Sequence, residues 1–190
     1  TQSENELQRL LLFRAGAFER VAVPLSLVAR LEEFPRSAIE QAGGRHVVQY
    51  RSRILPLISL RSVLESGRTE QELTADPLQV VVFNDGDRSI GVVVDQILDV
   101  AEEAITVRQK STRHGLLGSA VVGKQVTDIV DLNQVLQTAE VWLQGSHREA
   151  GGKKVMIADA SAFSRGLIRC SLDMAGYRIL EATNLDEAIH

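Results

Sequence analysis

The amino-acid sequence contains an internal duplication, which restricts the possible folds more than any other feature. Short apolar stretches recur in the same order at an offset of about seventy residues. The matching stretches are 10–13 (LLLF) with 80–83 (VVVF), 27–33 with 97–103, and 53–60 with 125–132 after a shift of two residues. One apolar stretch often resembles another by chance, but several in a fixed order do not. The chain therefore begins with two copies of one unit.

Each copy is predicted to be rich in strands and to end in a helix. Strands are expected at 10–14, 20–23 and 54–58 in the first copy, and at 80–84, 89–94 and 126–130 in the second. Helices are expected at 61–65 and 133–144. Aromatic residues make up only 4% of the chain, so the core must consist of Val, Leu, Ile and Ala, and β-branched side chains favour strands. We expect two small barrels or sandwiches of about five strands each, because closure hides strand edges.

The stretches between these elements allow three further predictions. Residues 37–42 are a short helix candidate that ends at Gly43-Gly44, where glycine permits a left-handed cap. Residues 65–77 and 108–118 are polar, and they are predicted to be an exposed linker and a loop. Trp142 lies on the flank of the second helix, where it either packs on the barrels or anchors a partner.

The character of the chain changes after residue 144. Residues 145–154 (GSHREAGGKK) have the composition of a linker. A short apolar strand at 155–158, a helix at 163–175 and a strand at 177–182 then predict the opening of a βαβ fold. Such a fragment leaves a sheet edge uncovered, so it must dock on the preceding domain, pair with a second copy, or rest on residues outside this sequence.

Composition excludes several classes of function. The formal net charge of −4 disfavours a nucleic-acid partner. No apolar stretch approaches the roughly 20 residues that span a bilayer, and no signal peptide opens the chain, so we expect a cytoplasmic protein without membrane insertion. The sole cysteine, Cys170, excludes an internal disulfide. The chain begins at Thr1, which suggests a piece of something longer.

No catalytic, cofactor or metal site is predicted. The four histidines, His46, His114, His147 and His190, lie far apart, and no histidine or cysteine pair has the spacing of metal ligands. Nucleotide-binding and nucleophile-elbow motifs are missing from the sequence. Cys170 is a packing residue or, less favoured, a nucleophile without a neighbouring base.

Residues 10–143 resemble the chemotaxis coupling domain, the module shared by CheW and the regulatory end of the histidine kinase CheA. The matching motifs are LLF at 11–13, VPLSLV at 23–28, QYRSRILPL at 49–57 and IGVVVDQI at 90–97, with residues 118–132. Ser52 stands where glycine is usual in the family. The resemblance implies two five-stranded SH3-like barrels in a mainly β fold, with residues 1–144 forming the domain.

Residues 155–190 look like the first part of a CheY-like receiver, an incomplete domain. In that family two adjacent acids hold Mg²⁺ beside a phosphorylated aspartate. Asp159 fills the first acidic position, but Ala160 replaces the second, and the sequence stops before the strand that would carry the phosphoacceptor. We therefore expect no phosphotransfer in this chain.

A coupling domain followed by a receiver is typical of hybrid CheA–CheY kinases and of the adaptor CheV, which has no kinase. The stretch at 29–35 with Gln49-Tyr50-Arg51 favours the kinase. The resemblance implies a scaffold at receptor arrays beneath the inner membrane. Its expected partners are a CheW-like coupling protein, the cytoplasmic tip of a chemoreceptor and the kinase core of the same parent, with a homodimer through the partial receiver as a further possibility.

Three residues are predicted to bind partners. Arg51 matches an arginine position that the coupling family uses in signalling, and its guanidinium suits a carboxylate; the alternative is a solvated arginine at a strand end. Arg30 and Glu32 could lie at the rim of the same surface. Asp95 is instead expected to be structural, accepting hydrogen bonds from turn amides.

Overall fold

The structure is a computed structural model. It describes residues 7–42, 45–66, 73–85, 88–105, 107–140, 154–158, 165, 168, 169, 172 and 177–184.

Both copies of the repeat contain six strands and one helix in the same order. The first copy comprises β1 (Leu7–Ala15), β2 (Phe18–Pro24), β3 (Val28–Phe34), β4 (Ile39–Ala42), β5 (Arg45–Tyr50), β6 (Arg53–Ser59) and α1 (Leu60–Ser66). The second comprises β7 (Leu78–Asp85), β8 (Arg88–Val94), β9 (Gln96–Ala104), β10 (Val107–Lys110), β11 (Leu116–Val122), β12 (Gln125–Val130) and α2 (Leu132–Glu140). Short 3₁₀ helices at Leu25–Leu27 and Arg36–Ala38 flank β3. The order of elements in the first copy thus recurs in the second.

The two copies exchange their opening hairpins. The first sheet has the strand order β3-β7-β8-β6-β5-β4, and the second has the order β10-β11-β12-β2-β1-β9. Hairpin β7–β8 of the second copy thus completes the first sheet, and hairpin β1–β2 of the first copy completes the second. The joins correspond, since β6 pairs with β8 and β12 pairs with β2, both in parallel. Neither copy forms a complete sheet from its own residues.

This exchange explains why β1 and β7 are apolar at every central position. In β1, Leu10 and Leu12 face the interior of the second sheet, while Leu11 and Phe13 face a central cluster between the two sheets. In β7, residues 80 and 82 belong to the interior of the first sheet, and residues 81 and 83 join the central cluster. A strand buried on both faces has no position for a polar side chain.

The central cluster joins all parts of the duplicated domain. Its members come from both opening hairpins, both helices and the ends of β6, β11 and β12: Leu11, Phe13, Ala15, Phe18, Val21, Val23, Ile58, Leu60, Val63, Leu64, Val81, Phe83, Ile90, Val92, Val94, Leu116, Val130, Leu132, Val135 and Leu136. Because apolar burial is the dominant favourable contribution to folding, this shared cluster makes the two copies interdependent.

Both helices begin at a side chain that caps their first turn. The Ser62 amide donates to Ser59 Oγ over 3.3 Å at the start of α1. The Gln134 amide donates to Asp131 Oδ1 over 3.2 Å at the start of α2. Ser59 and Asp131 occupy corresponding positions of the repeat, so the same capping chemistry ends β6 and β12 and starts the helices.

Four predictions about these elements were wrong. Each sheet has six strands rather than five. The helix expected at 37–42 is a 3₁₀ turn followed by β4, because Ile39–Ala42 pairs with β5. The loop expected at 108–118 includes residues of β10 and β11. Leu73, within the expected exposed linker, is buried against the interior of the first sheet.

In the C-terminal part, β13 (Lys154–Ala158) pairs in parallel with β14 (Arg178–Ala182). Arg165, Ile168, Arg169 and Leu172 between them have helical backbone. The assignment of this part to a receiver stays a prediction. Asp159, Ala160, Cys170, Trp142, His147 and His190 lie outside the described residues.

Candidate functional site

The turn between β5 and β6 carries the most prominent of the predicted partner residues. Tyr50 pairs with Arg53, so only Arg51 and Ser52 form the turn. Both have positive φ, 48° and 62°. Positive φ at both central positions is the geometry of the two-residue hairpin turn that matches strand twist, and it favours glycine. Ser52 therefore adopts a backbone conformation in which glycine would be less strained.

Tyr50 is the centre around which the predicted residues gather. Its hydroxyl donates to Glu32 Oε1 over 2.9 Å. The edge of its ring meets Phe34 with a centroid distance of 6.1 Å and an interplanar angle of 89°. The guanidinium carbon of Arg51 lies 5.4 Å from the ring centroid, in a cation–π arrangement. These contacts hold the Arg51 side chain against an aromatic surface.

The pKa of Tyr50 is raised above its usual value of 10.0. Burial of the hydroxyl contributes most, and Glu32 adds to the increase through its hydrogen bond and its negative charge. The positive charges of Arg51 and Arg30 act in the opposite direction. Tyr50 therefore stays a neutral donor to Glu32 at physiological pH.

Arg51 and Glu32 thus both contact Tyr50, and Arg30 lies two residues before Glu32 on β3. Arg51 and Arg30 are exposed, whereas Glu32 is half-buried and bound to Tyr50. Two solvent-facing cations at the end of this sheet can recognise a carboxylate. Their role in binding a partner stays a prediction.

The contact between Glu32 and Tyr50 also shapes the first sheet. β3 is an end strand of this sheet and β5 lies next to the other end, so the contact shows that the sheet curls back on itself. A contact between the equivalent elements occurs in the second sheet through other residues, since the Gly123 amide donates to Glu103 Oε1 of β9 over 2.7 Å. Gly123 and Lys124 form the matching turn between β11 and β12, with φ of 58° and 62°.

Two exposed apolar residues at matching positions were missed from the sequence. Ile54 is the second residue of β6 and is 70% exposed, and Val126 is the second residue of β12 and is 71% exposed. The first six residues of β6 and of β12 have the same sequence of exposed and buried positions. The signal was present, because Leu55 and Leu57 point inward, so Ile54 and Pro56, which alternate with them, must point outward.

The surroundings of these two residues differ. On the outer face of the first sheet, Ile54 is near half-buried Pro56 and Val47, which face each other in the ladder. On the second sheet, the position of Pro56 is taken by Asp128, which accepts a hydrogen bond of 2.6 Å from Ser119 Oγ. The two sheets therefore present related but unequal surfaces.

Other predicted residues have structural or surface positions. Asp95 Oδ2 accepts from the Gly16 amide over 2.7 Å, which confirms its expected role at a turn. His114 Nε2 lies 3.0 Å from Thr138 Oγ1 at an exposed position, and His46 lies on β5. Within the described ranges, no three His, Cys, Asp or Glu side chains converge as metal ligands. Nor does any helix there have the length and apolarity to cross a membrane.

Comparison with known proteins gives a family match over most of the chain. The model of the CheW-like domain family matches residues 9–140. The sensor histidine kinase CheAY of Helicobacter pylori is 28% identical over 184 residues, covering 87% of this chain and 22% of that protein. The chemotaxis protein CheA of Bacillus subtilis is 24% identical over 121 residues, covering 62% of this chain and 18% of that protein. This chain thus spans about a fifth of the length of either relative.

The fold has a counterpart among solved structures. The scaffolding protein TtCheW from Thermoanaerobacter tengcongensis superposes with a TM-score of 0.54 at 12% identity, covering 65% of this chain and 88% of that one. At this identity the likeness concerns the fold alone. The alignment with CheAY covers more of the chain than residues 9–140, so it extends beyond the family match.

Proposed function

Because the chain belongs to the family of CheW-like domains, we propose that it is the regulatory domain of a CheA-type histidine kinase, which joins the kinase to a CheW-like coupling protein and to a chemoreceptor tip. Domains of this family are non-catalytic chemotaxis scaffolds. A kinase parent is proposed over an adaptor of CheV type because the curated relatives described above are CheA-type proteins. The scaffold would act at receptor arrays under the inner membrane.

The observation that carries the proposal is the matched exposure of Ile54 and Val126. An exposed branched apolar side chain at the same position in both copies gives the domain one apolar contact point on each sheet. Aliphatic side chains of this kind become energetically important when a partner excludes water from them. Two unequal ends suit a scaffold that is bound by different neighbours.

Arg51 and Arg30 extend the contact surface of the first sheet. The turn that contains Arg51 leads directly into β6, and Arg51 lies three residues before Ile54. A partner that covers Ile54 and carries acidic residues at its rim would meet these cations. Rim charges of this kind mainly accelerate association and make it depend on salt.

We assign a second matched pair of exposed apolar residues to binding of the receptor. Leu31 on β3 is 44% exposed and Val100 on β9 is 41% exposed. Their ladder partners, Val81 and Leu11, belong to the central cluster, so the exposed pair continues that apolar face on the two end strands. A helical receptor tip fits such a surface through its apolar face.

Isothermal titration calorimetry with the CheW-like protein of the same organism tests the proposal. The expected Kd is of micromolar order, and Ile54→Asp or Val126→Asp should weaken binding by about thirtyfold, the effect of losing about 2 kcal/mol at one hot spot. Arg51→Ala should reduce the association rate and its salt dependence.

Met156→Asp is the matched control, since Met156 is 47% exposed on β13 and should leave binding unchanged. Absence of binding, or equal binding by both Asp variants and the wild type, would contradict the proposal.

A further inference from the structure

The C-terminal part of the chain meets the duplicated domain at a groove of about 430 Å³. Leu7 and Gln8 at the start of β1, with Pro24 and Leu25 at the end of β2, line one side. Ile168 of the C-terminal part lines the other side. The groove therefore lies between two segments that are more than a hundred residues apart in the sequence.

We propose that the C-terminal part docks on this groove of its own chain, with Ile168 as the anchoring side chain. Of the three arrangements compatible with an incomplete βαβ segment, this one is favoured because an apolar side chain of the segment already lines the groove. Leu7, 64% exposed, supplies further apolar surface to the same groove.

The helical residues around Ile168 are held in place by ion pairs with β14. Arg165 Nε lies 3.5 Å from Glu181 Oε2, and Arg169 Nη1 donates to Glu181 Oε1 over 3.2 Å. Ile168 lies between these two arginines in the sequence, so its backbone is fixed relative to the strand pair. The docking segment therefore presents Ile168 from an ordered support rather than from a free end.

The contact is expected to be reversible. Gln8 Oε1 is buried, and no described residue donates a hydrogen bond to it. An unpaired buried acceptor lowers the stability of the surface that covers it. The contact depends on the short connection between α2 and β13, which keeps the local concentration near millimolar.

Docking at this position would affect the strand that carries part of the candidate site. Ser26 lines the same groove, and β3 with Arg30 and Glu32 begins two residues later, at Val28. The groove also lies on hairpin β1–β2, which one copy contributes to the sheet of the other. A change in docking would thus act on both the exchanged hairpin and the strand that carries the predicted partner residues.

Paired cysteines in the full chain test the proposal, with Cys170→Ser as background. Leu7→Cys with Ile168→Cys should form an intramolecular cross-link with a short bismaleimide about tenfold faster than the control pair, as expected for a held rather than merely tethered contact. The control is Leu7→Cys with Leu180→Cys. Leu180 is 50% exposed and precedes Glu181 on β14. Because Glu181 faces the arginines of the helical residues and neighbouring side chains of a strand alternate, Leu180 points away from them.

Intact-mass measurement separates the outcomes. Equal cross-linking rates for the two cysteine pairs would overturn the proposal. Cross-links found only between molecules would also overturn it, because they would assign the contact to a second copy of the chain. A second variant, Ile168→Asp, should accelerate hydrogen exchange at residues 7–9 and 24–26 several-fold, while Leu180→Asp should not. If Ile168→Asp unfolds the C-terminal part, the cross-linking pairs decide.

Discussion

Truncation of Phe13 should destabilise both sheets to the same extent, because the copies share one cluster. Phe13 is 1% exposed and lies on β1 of the first copy, within the second sheet. Its side chain belongs to the same cluster as Phe83 of the first sheet and Val135 of α2. Phe13→Ala removes a buried ring from this cluster, at an expected cost of about 3–5 kcal/mol.

This cost is a large part of the roughly 5–15 kcal/mol that stabilises a typical domain. Since 1.4 kcal/mol corresponds to a factor of ten, amide protection controlled by global unfolding should fall by about two to three and a half orders of magnitude. Hydrogen exchange with mass spectrometry should find this loss in β5–β6 and β7–β8 as well as in β1–β2 and β11–β12.

A loss confined to residues 7–66 would refute the exchange of hairpins, because it would mean that each copy folds on its own residues. Phe83→Ala should reproduce the pattern, since Phe83 is the equivalent residue of the other hairpin and is also 1% exposed. Leu31→Ala is the control. Leu31 is 44% exposed, so its truncation should change stability by no more than about 0.5 kcal/mol.

Three further predictions concern single positions and can be checked by urea unfolding. Gly118→Ala should cost about 1–3 kcal/mol, because a Cβ at this position would collide with the backbone carbonyl oxygen of Gln109 and separate β10 from β11. Ser52→Gly and Lys124→Gly should each stabilise the chain by up to about 1 kcal/mol, because both residues have φ of 62°. The raised pKa of Tyr50 means that its neutral form stabilises the folded state, so the unfolding free energy should fall as pH rises above 10.0, and Tyr50→Phe should remove that part of the decline.

Each of these predictions has a matched comparison. Gly91→Ala should also destabilise, because its Cβ would lie 2.6 Å from Leu57 Cδ2 and 2.8 Å from Val80 Cγ1 in the packed interior of the first sheet. Ser52→Val should destabilise, since a β-branched residue tolerates positive φ poorly. Equal pH profiles of the wild type and Tyr50→Phe would contradict the assignment of the high-pH decline to Tyr50.

The order of strands was predictable from the repeat, but the exchange of hairpins was not. A strand that is apolar on both faces, such as β1, fits either sheet equally well. Periodicity gives burial without identifying the partner strand. The pairings between copies distinguish the exchanged arrangement, for example β1 with β9 through Leu10 and Ala101, and β12 with β2.

Pairing of β4 with β5 also explains why the helix predicted at 37–42 does not form. Ile39 and Ala42 have the spacing of a helical face, and the following glycines are typical of a helix end. The ladder with β5 places Ile39 opposite Val48 and Ala42 opposite Arg45, which gives these residues backbone partners that a local pattern does not reveal.

The candidate site was predictable in part. The resemblance singled out Arg51, whereas Arg30 and Glu32 were named from their position after residues 27–28. The structure places Arg51 and Glu32 against Tyr50. Tyr50 was not recognised as their common neighbour, because β3 and β5 meet through curvature of the sheet rather than through adjacent pairing. Ile54 and Val126 were predicted as ordinary strand residues, since alternation alone does not show which outward-facing side chain is left exposed by its neighbours.

Whether this domain is a two-ended scaffold is tested most directly by co-sedimentation with receptor-bearing membranes and the CheW-like protein. The wild-type chain should pellet with the membranes when the coupling protein is present, and the double variant Ile54→Asp/Val126→Asp should stay in the supernatant. Pelleting of the double variant at the wild-type level, or no pelleting of the wild type, would contradict the proposed function.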